Sequence, residues 1–186
     1  MSIGMRNVRV HGVVITLTLA IGLIVGMSVG NGSTRAQGSM PDLPQGATGV
    51  TAAVLGMIQP AAAPGYDLQL FRSEWAPGSS ISLHTHPGAL VSCIESGSVS
   101  FAIQSGMASV IRAHGPQTPA APETISPNEP ITYGPGDCVT FDQDAANTAH
   151  IAWNDGTEPA VIWEAHLYKT GVKASTFTNE EGTPAP

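Results

Sequence analysis

The chain has 186 residues, of which only 11% are charged, with 21 glycines, 15 prolines and a formal net charge of −7. Arg6, Arg9 and Arg35 lie in a first stretch of 36 residues that holds no acid; beyond it Arg72, Arg112, Lys169 and Lys173 stand against 14 acids, a net of −10. A surface that acidic repels phosphate backbones and anionic lipid heads, which argues against nucleic acid as a partner. Few charges with many turn formers point to an all-β domain with tight connections.

In chain order, Arg6 and Arg9 form a basic start, and Val13 to Val29 is a run of 17 uncharged residues. "STRAQG" follows, in which Thr34-Arg35-Ala36 has the small-x-small form of a cleavage site. Residues 1–36 are therefore expected to be a cleaved signal peptide, with an uncleaved N-terminal membrane anchor as the runner-up. The run falls just short of the roughly 18 residues of a spanning helix, and Gly22 and Gly26 interrupt it. Both readings place the folded part outside the cytoplasm, and only the second puts it at a membrane. Residues 37–49, polar and rich in Gly and Pro, read as a flexible linker.

From Val50, short apolar runs alternate with turn formers. The expected strands are "VTAAVLGMI", "YDLQLFRSEW" ending at "APGS", "SISLHTH" ending at "PG", "ALVSCIE", "VSFAIQ" and "MASVIRA". Residues 114–130 hold five prolines and read as a surface loop. "ITYGPGDCVTFD", "TAHIAWN" and "AVIWEAHLYKT" supply the last strands, and an irregular tail, residues 171–186, follows. Nine or ten short strands and no convincing helix predict a sandwich or barrel, one domain over residues 50–170.

Alternate residues of a strand share a face, so His84 and His86 present both imidazoles to one side, and Pro87-Gly88 bends the chain directly after them. A catalytic metal needs a third ligand and an open position. His114, His150 and His166 are the candidates. His150 is preferred because it enters a strand through a tight turn, whereas His114 opens the proline-rich segment.

Gly78, five residues, then His84-x-His86 and a strand ending at Gly97 resembles the first motif of the cupins. Gly136-Asp137, a strand, then His150 with Asn154 four residues on resembles the second. The resemblance spans roughly Leu68 to Tyr168. It implies a small jelly-roll β-barrel whose motif histidines, here His84, His86 and His150, bind a metal inside the barrel. Some such barrels pair, so a homodimer is a further expectation.

Two departures stand out. The glutamate expected four or five residues after the second histidine is absent; Leu90 and Val91 occupy those positions. Glu95 is no shifted substitute, because an odd number of steps from residue 90 turns it outward. The turn before His150 also lacks its usual Pro-x-Gly. Three neutral imidazoles without a carboxylate suit Fe²⁺, Cu²⁺, Ni²⁺ or Zn²⁺ better than Mn²⁺. Gln104, Asp144 and Glu164 are conceivable fourth ligands, and none has a spacing that singles it out.

In "AVIWEAHLY", Val161, Trp163, Ala165 and Leu167 share one face, and Ile162, Glu164, His166 and Tyr168 the other. The usual expectation puts the second set in solvent; a polar lumen would make Glu164 and His166 pocket residues. Asp137 and Asn154 read as turn residues. Cys93 and Cys138 read as a disulfide in an exported protein, with two unbonded buried thiols as the alternative. Three functions remain open: a metal-dependent oxidoreductase, dioxygenase-like, on a small substrate; a non-catalytic module binding a small molecule or metal; and a structural barrel with a decayed site. No general acid or base stands out.

Overall fold

The computed structural model describes residues 46–113 and 121–178. The segment 1–36, most of the linker and His114 lie outside the described residues, as do the last eight residues of the tail. The strands, in chain order, are β1 (Ala47–Ile58), β2 (Tyr66–Thr85), β3 (Ala89–Ser96), β4 (Val99–Ser105), β5 (Ala108–Ile111), β6 (Glu123–Ile125), β7 (Ile131–Tyr133), β8 (Cys138–Asp142), β9 (Ala149–Trp153), β10 (Ala160–Lys169) and β11 (Thr176–Phe177). A single four-residue helical turn, α1 (Gln143–Ala146), joins β8 to β9. All pairings are antiparallel, in the order β6-β5-β8-β3-β10-β2-β9-β4-β7. β1 and β11 both add to β2. The result is a nearly closed antiparallel barrel, consistent with the jelly roll that the sequence resemblance implies.

β2 corrects the expectation of two strands divided at "APGS". It is one strand of 20 residues. Its first part, Tyr66 to Trp75, pairs with β10, and its second, Ser80 to His84, pairs with β9. The strand turns from one sheet to the other at the Gly and Pro residues that looked like a break. Gly78 takes φ +75°, a conformation that side chains with a Cβ rarely adopt. The backbone groups at the bend stay satisfied: Gly78 N–H donates to Asn154 O at 2.8 Å, and Asn154 N–H donates to Ser79 O at 2.9 Å. The strand thus exchanges β10 for β9 as its partner across the bend, and β1 follows it on the other side through a register shift.

Other boundaries move for similar reasons. β1 begins at Ala47, inside the expected linker. The proline-rich segment contributes β6, whose Thr124 and Ile125 pair with Ser109 and Ala108. Thr176 and Phe177 of the tail pair with Thr85 and His84.

The core lies between the sheets. Ile103 and Ile162 are fully buried, packed with Val99, Phe101, Val110 and Val139. Each such side chain contributes roughly 1.5–3 kcal/mol of transfer free energy. Two cross-strand devices brace the barrel behind the site. Cys93 lies directly across from Cys138 on β3 and β8, and the two form a disulfide with Cα atoms 4.1 Å apart. Asn154, almost wholly buried, closes the β9–β10 turn. Its Nδ2 donates to Trp75 O at 3.1 Å and Glu158 O at 3.0 Å, and its Oδ1 accepts from Gly156 N–H at 2.9 Å. Asp137 is the turn residue expected. Burial alone would raise its pKa, but hydrogen bonds from the backbone of Ala113 and Gly134 and from Arg112 together hold it below the usual carboxylate value.

Candidate metal centre

His84 near the end of β2 and His150 near the start of β9 are direct cross-strand partners. His86 follows the end of β2, where Pro87-Gly88 turns the chain into β3. Gly88, at φ +69°, leaves no room for a side chain: an added Cβ would strike the carbonyl of Leu167. This turn aims His86 back over the ends of β2 and β9. The strand parity read from the sequence holds, and the two halves of the motif meet.

One nitrogen from each of His84, His86 and His150 lies within 4.8 Å of the others, and among the described residues this is the group of His, Cys, Asp and Glu donors that converges in this way. His84 Nε2 and His86 Nε2 are 3.1 Å apart. The backbone sets their tautomers. His84 Nδ1 is 2.7 Å from Ser82 O, and His86 Nδ1 is 2.7 Å from Ala174 O. With Nδ1–H donating to a carbonyl, Nε2 keeps its lone pair for an ion. His150 Nδ1 is buried without a hydrogen-bond partner.

All three imidazoles are held neutral. Burial is the main cause in each case. It lowers His84 to about 4 against the opposing hydrogen bond to Ser82 O. His86 is pushed well below the ordinary histidine value by burial, then by the nearby His84 and His166. His150 is likewise pushed down by burial and then by His84 and His86, while the Thr148 carbonyl opposes the shift. Neutral imidazoles crowded onto one point, two of them oriented by backbone carbonyls, are unfavourable for one another and suited to a divalent ion. The donor set fits a borderline metal.

Beside the triad is a cavity of about 60 Å³. Its apolar walls include Trp75, Leu90, Phe101 and Phe141, and Tyr133 and Ser92 face it. Leu90, 4% exposed, occupies the corner where a motif carboxylate is expected. Glu95 points outward, as its parity requires, and accepts a hydrogen bond from Trp163 Nε1 at 2.5 Å.

The face of β10 is reversed from the usual expectation. Ile162, His166 and Tyr168 are buried and Glu164 lines the cavity, whereas Trp163 is exposed. His166 and Glu164 are therefore lumen residues. His166 stands edge-on to His86, ring centroids 5.1 Å apart. The two candidate third ligands that are not in the triad separate accordingly: His166 joins its surroundings, and His114 is outside the described residues. Of the conceivable fourth ligands, only Glu164 reaches the cavity wall.

No protein-family model matches the sequence, and no curated protein does. Solved structures to which the chain is similar are cupin-domain proteins. Oxalate decarboxylase from Bacillus subtilis is 21% identical, with a TM-score of 0.38 over 59% of this chain and 23% of that one. A cupin 2 domain-containing protein from Halorhodospira halophila is 14% identical, with a TM-score of 0.42 over 72% of this chain and 73% of that one. KdgF from Halomonas sp. is 14% identical, with a TM-score of 0.41 over 63% of this chain and 77% of that one. The chain thus spans less than a quarter of the oxalate decarboxylase chain. The chain's own strands form a nearly closed antiparallel β-barrel in which the motif histidines read from the sequence come together across β2 and β9.

Proposed function

We propose that this chain is an exported cupin-type metalloprotein. It holds one divalent transition ion through His84, His86 and His150 and takes a small ligand beside it. The observation that carries this reading is the convergence of three neutral imidazoles, two buried and one half-buried, on one point at the wall of a cavity. The absence of a carboxylate among them favours Fe²⁺, Cu²⁺, Ni²⁺ or Zn²⁺. Three protein ligands leave coordination positions for ligand and solvent. Of the reactions open to such a centre, an oxygen-dependent oxidation of a small substrate, dioxygenase-like, is the one we favour. The ion would supply Lewis acidity and a path for electrons. The protein's own part is to fix the imidazoles through Ser82 O and Ala174 O and to keep bulk water out with Trp75, Phe101 and Phe141.

Export is supported by the N-terminal sequence and by the Cys93–Cys138 disulfide, which persists in oxidising compartments. Pairing with a second copy is supported by β1, which bonds only to β2 and exposes Val54, Leu55, Met57 and Ile58. The acidic net charge of the folded part supports a small-molecule partner over nucleic acid.

Metal analysis of protein purified without a histidine tag tests the centre. One equivalent of metal in the wild type and none in His84→Ala is the expected result. A metal-free wild type reconstituted without uptake would leave a structural barrel. Oxygen uptake by the Fe²⁺-loaded protein with a panel of small carboxylates, catechols and thiols then tests the reaction. Binding without uptake would leave a non-catalytic binding module.

A further inference from the structure

The cavity carries one charged side chain that the metal centre does not use. Glu164 lines it together with the triad, yet its carboxylate is not among the converging donors. Both carboxylate oxygens are held from behind. Ser92 Oγ donates to Oε1 at 3.4 Å, and Oε2 is 3.2 Å from His166 Nε2. Ser92 is the direct cross-strand partner of Glu164 and is itself buried. His166 is only 3% exposed and finds no partner for its other ring nitrogen, Nδ1. The carboxylate is thus fixed in the cavity lining, among the apolar side chains Trp75, Leu90, Phe101 and Phe141 and the polar Ser92 and Tyr133. A carboxylate offers about four acceptor sites, and these contacts use two of them. Whatever fills the cavity meets the remainder.

We propose that Glu164 determines the specificity of the cavity: it anchors the end of the ligand away from the metal and selects one that carries an ammonium or hydroxyl donor. Ser92 and His166 act through it as positioning residues. The inference rests on the proposed metal centre and deepens it by naming the ligand class. A ligand with a metal-binding group at one end and a hydrogen-bond donor at the other satisfies both poles of the cavity. An isostere ending in methyl leaves buried acceptors unpaired, and a dianion sets a second negative charge against Glu164. The cavity is small, about 60 Å³ where a single water needs about 10–15 Å³, so ligands of roughly five heavy atoms are suitable probes.

Glycine, glycolate and propionate are an isosteric series of that size, ending in ammonium, hydroxyl and methyl; oxalate adds a second carboxylate. Their binding to Co²⁺-saturated protein is measured by calorimetry and by the visible spectrum of the ion. In the wild type, glycine and glycolate are expected to bind at least about ten-fold more tightly than propionate, with oxalate weakest. Because glycine and glycolate can also chelate the ion, the change of this ratio in Glu164→Gln is the decisive reading. It is expected to fall to within about three-fold while the cobalt content stays at one equivalent. Ser92→Ala, which releases one of the two holding contacts, is expected to lie between the two.

An unchanged ratio in Glu164→Gln, or propionate binding as tightly as glycine in the wild type, overturns the proposal and leaves the metal centre standing. If Glu164→Gln fails to fold, an unchanged ratio in Ser92→Ala does the same. A wild type that takes up no Co²⁺ overturns the metal centre, and the role of Glu164 with it.

Discussion

On the β2–β9 wall of the cavity, His84 stands directly across from His150; on the β3–β10 wall, the corresponding cross-strand pairs are Leu90 with His166 and Ser92 with Glu164. The first wall, with His86 at its end, offers neutral nitrogen donors, and backbone carbonyls fix two of them, His84 and His86. The second offers an apolar corner next to a fixed carboxylate. In the usual motif the acid follows the histidines on the next strand. Here that position is Leu90, and an acid reaches the same cavity from β10, held by a serine and a histidine instead of joining the triad. The difference separates two tasks, holding an ion and recognising what binds beside it, and assigns each to its own wall.

The largest effect expected is on the first wall. His84→Ala or His150→Ala should lower metal affinity by roughly 100-fold or more, measured by competition with a chelating dye, because even groups that merely orient a ligand cost 10–100-fold. Retention of wild-type affinity in both would dissolve the contrast between the walls.

Next is pH. The folded His84 is held at about 4 against an ordinary 6.5, so the unfolded chain binds the proton more readily. Stability of the metal-free protein is therefore complete above about pH 6.5 and is lost as pH falls toward 4. For His84 alone the loss is roughly 3 kcal/mol. His86 and His150 shift in the same direction. Urea midpoints between pH 7 and 4 check this, and a flat profile would contradict neutral burial of the triad.

Leu90→Glu returns an acid to the apolar corner. The metal-free variant is expected to be less stable, since the new carboxylate is buried unpaired. Once loaded, its preference should move toward Mn²⁺ over Zn²⁺ by about ten-fold, read by metal competition. No shift would mean that the corner is too far from the ion.

The smallest effect is expected on the outer face shared by β3 and β10. Glu95→Gln removes the negative charge beside Trp163 Nε1 and Arg72 at an exposed position, while its amide oxygen can still accept the indole hydrogen bond. It should change stability by less than about 0.5 kcal/mol in a thermal melt and leave metal content untouched.

The first wall and the strand leading out of it were legible from the sequence because their information is local. Two histidines at i and i+2 and the parity of Leu90 and Glu95 follow from backbone alternation, the bend follows from Pro87-Gly88, and each holds in the structure. The β10 wall was not legible in the same way. Alternation divides a strand into two faces without saying which is inside. The rule that polar faces meet water fails where a cavity needs polar groups, so Glu164 and His166 stood by default on the wrong side. Trp163 made that default attractive, being the largest apolar side chain of the strand, yet it is exposed and paired with Glu95. The bend of β2 was missed because Gly and Pro mark both the end of a strand and its passage between sheets. The disulfide was the preferred of two readings, and the direct pairing of Cys93 with Cys138 decides it.

The carbonyl that fixes His86 belongs to Ala174, 88 residues further along the chain. Around it, Thr176 and Phe177 pair with β2, and Thr178 N–H donates to Leu83 O at 3.0 Å. A chain is made from its N-terminus and folds as it emerges. His84, His86 and His150 are all present before the segment that orients His86 has been synthesised. Orientation of His86 therefore depends on a late stretch of backbone: a chain cut before residue 174 keeps all three imidazoles and lacks the carbonyl that sets the tautomer of His86.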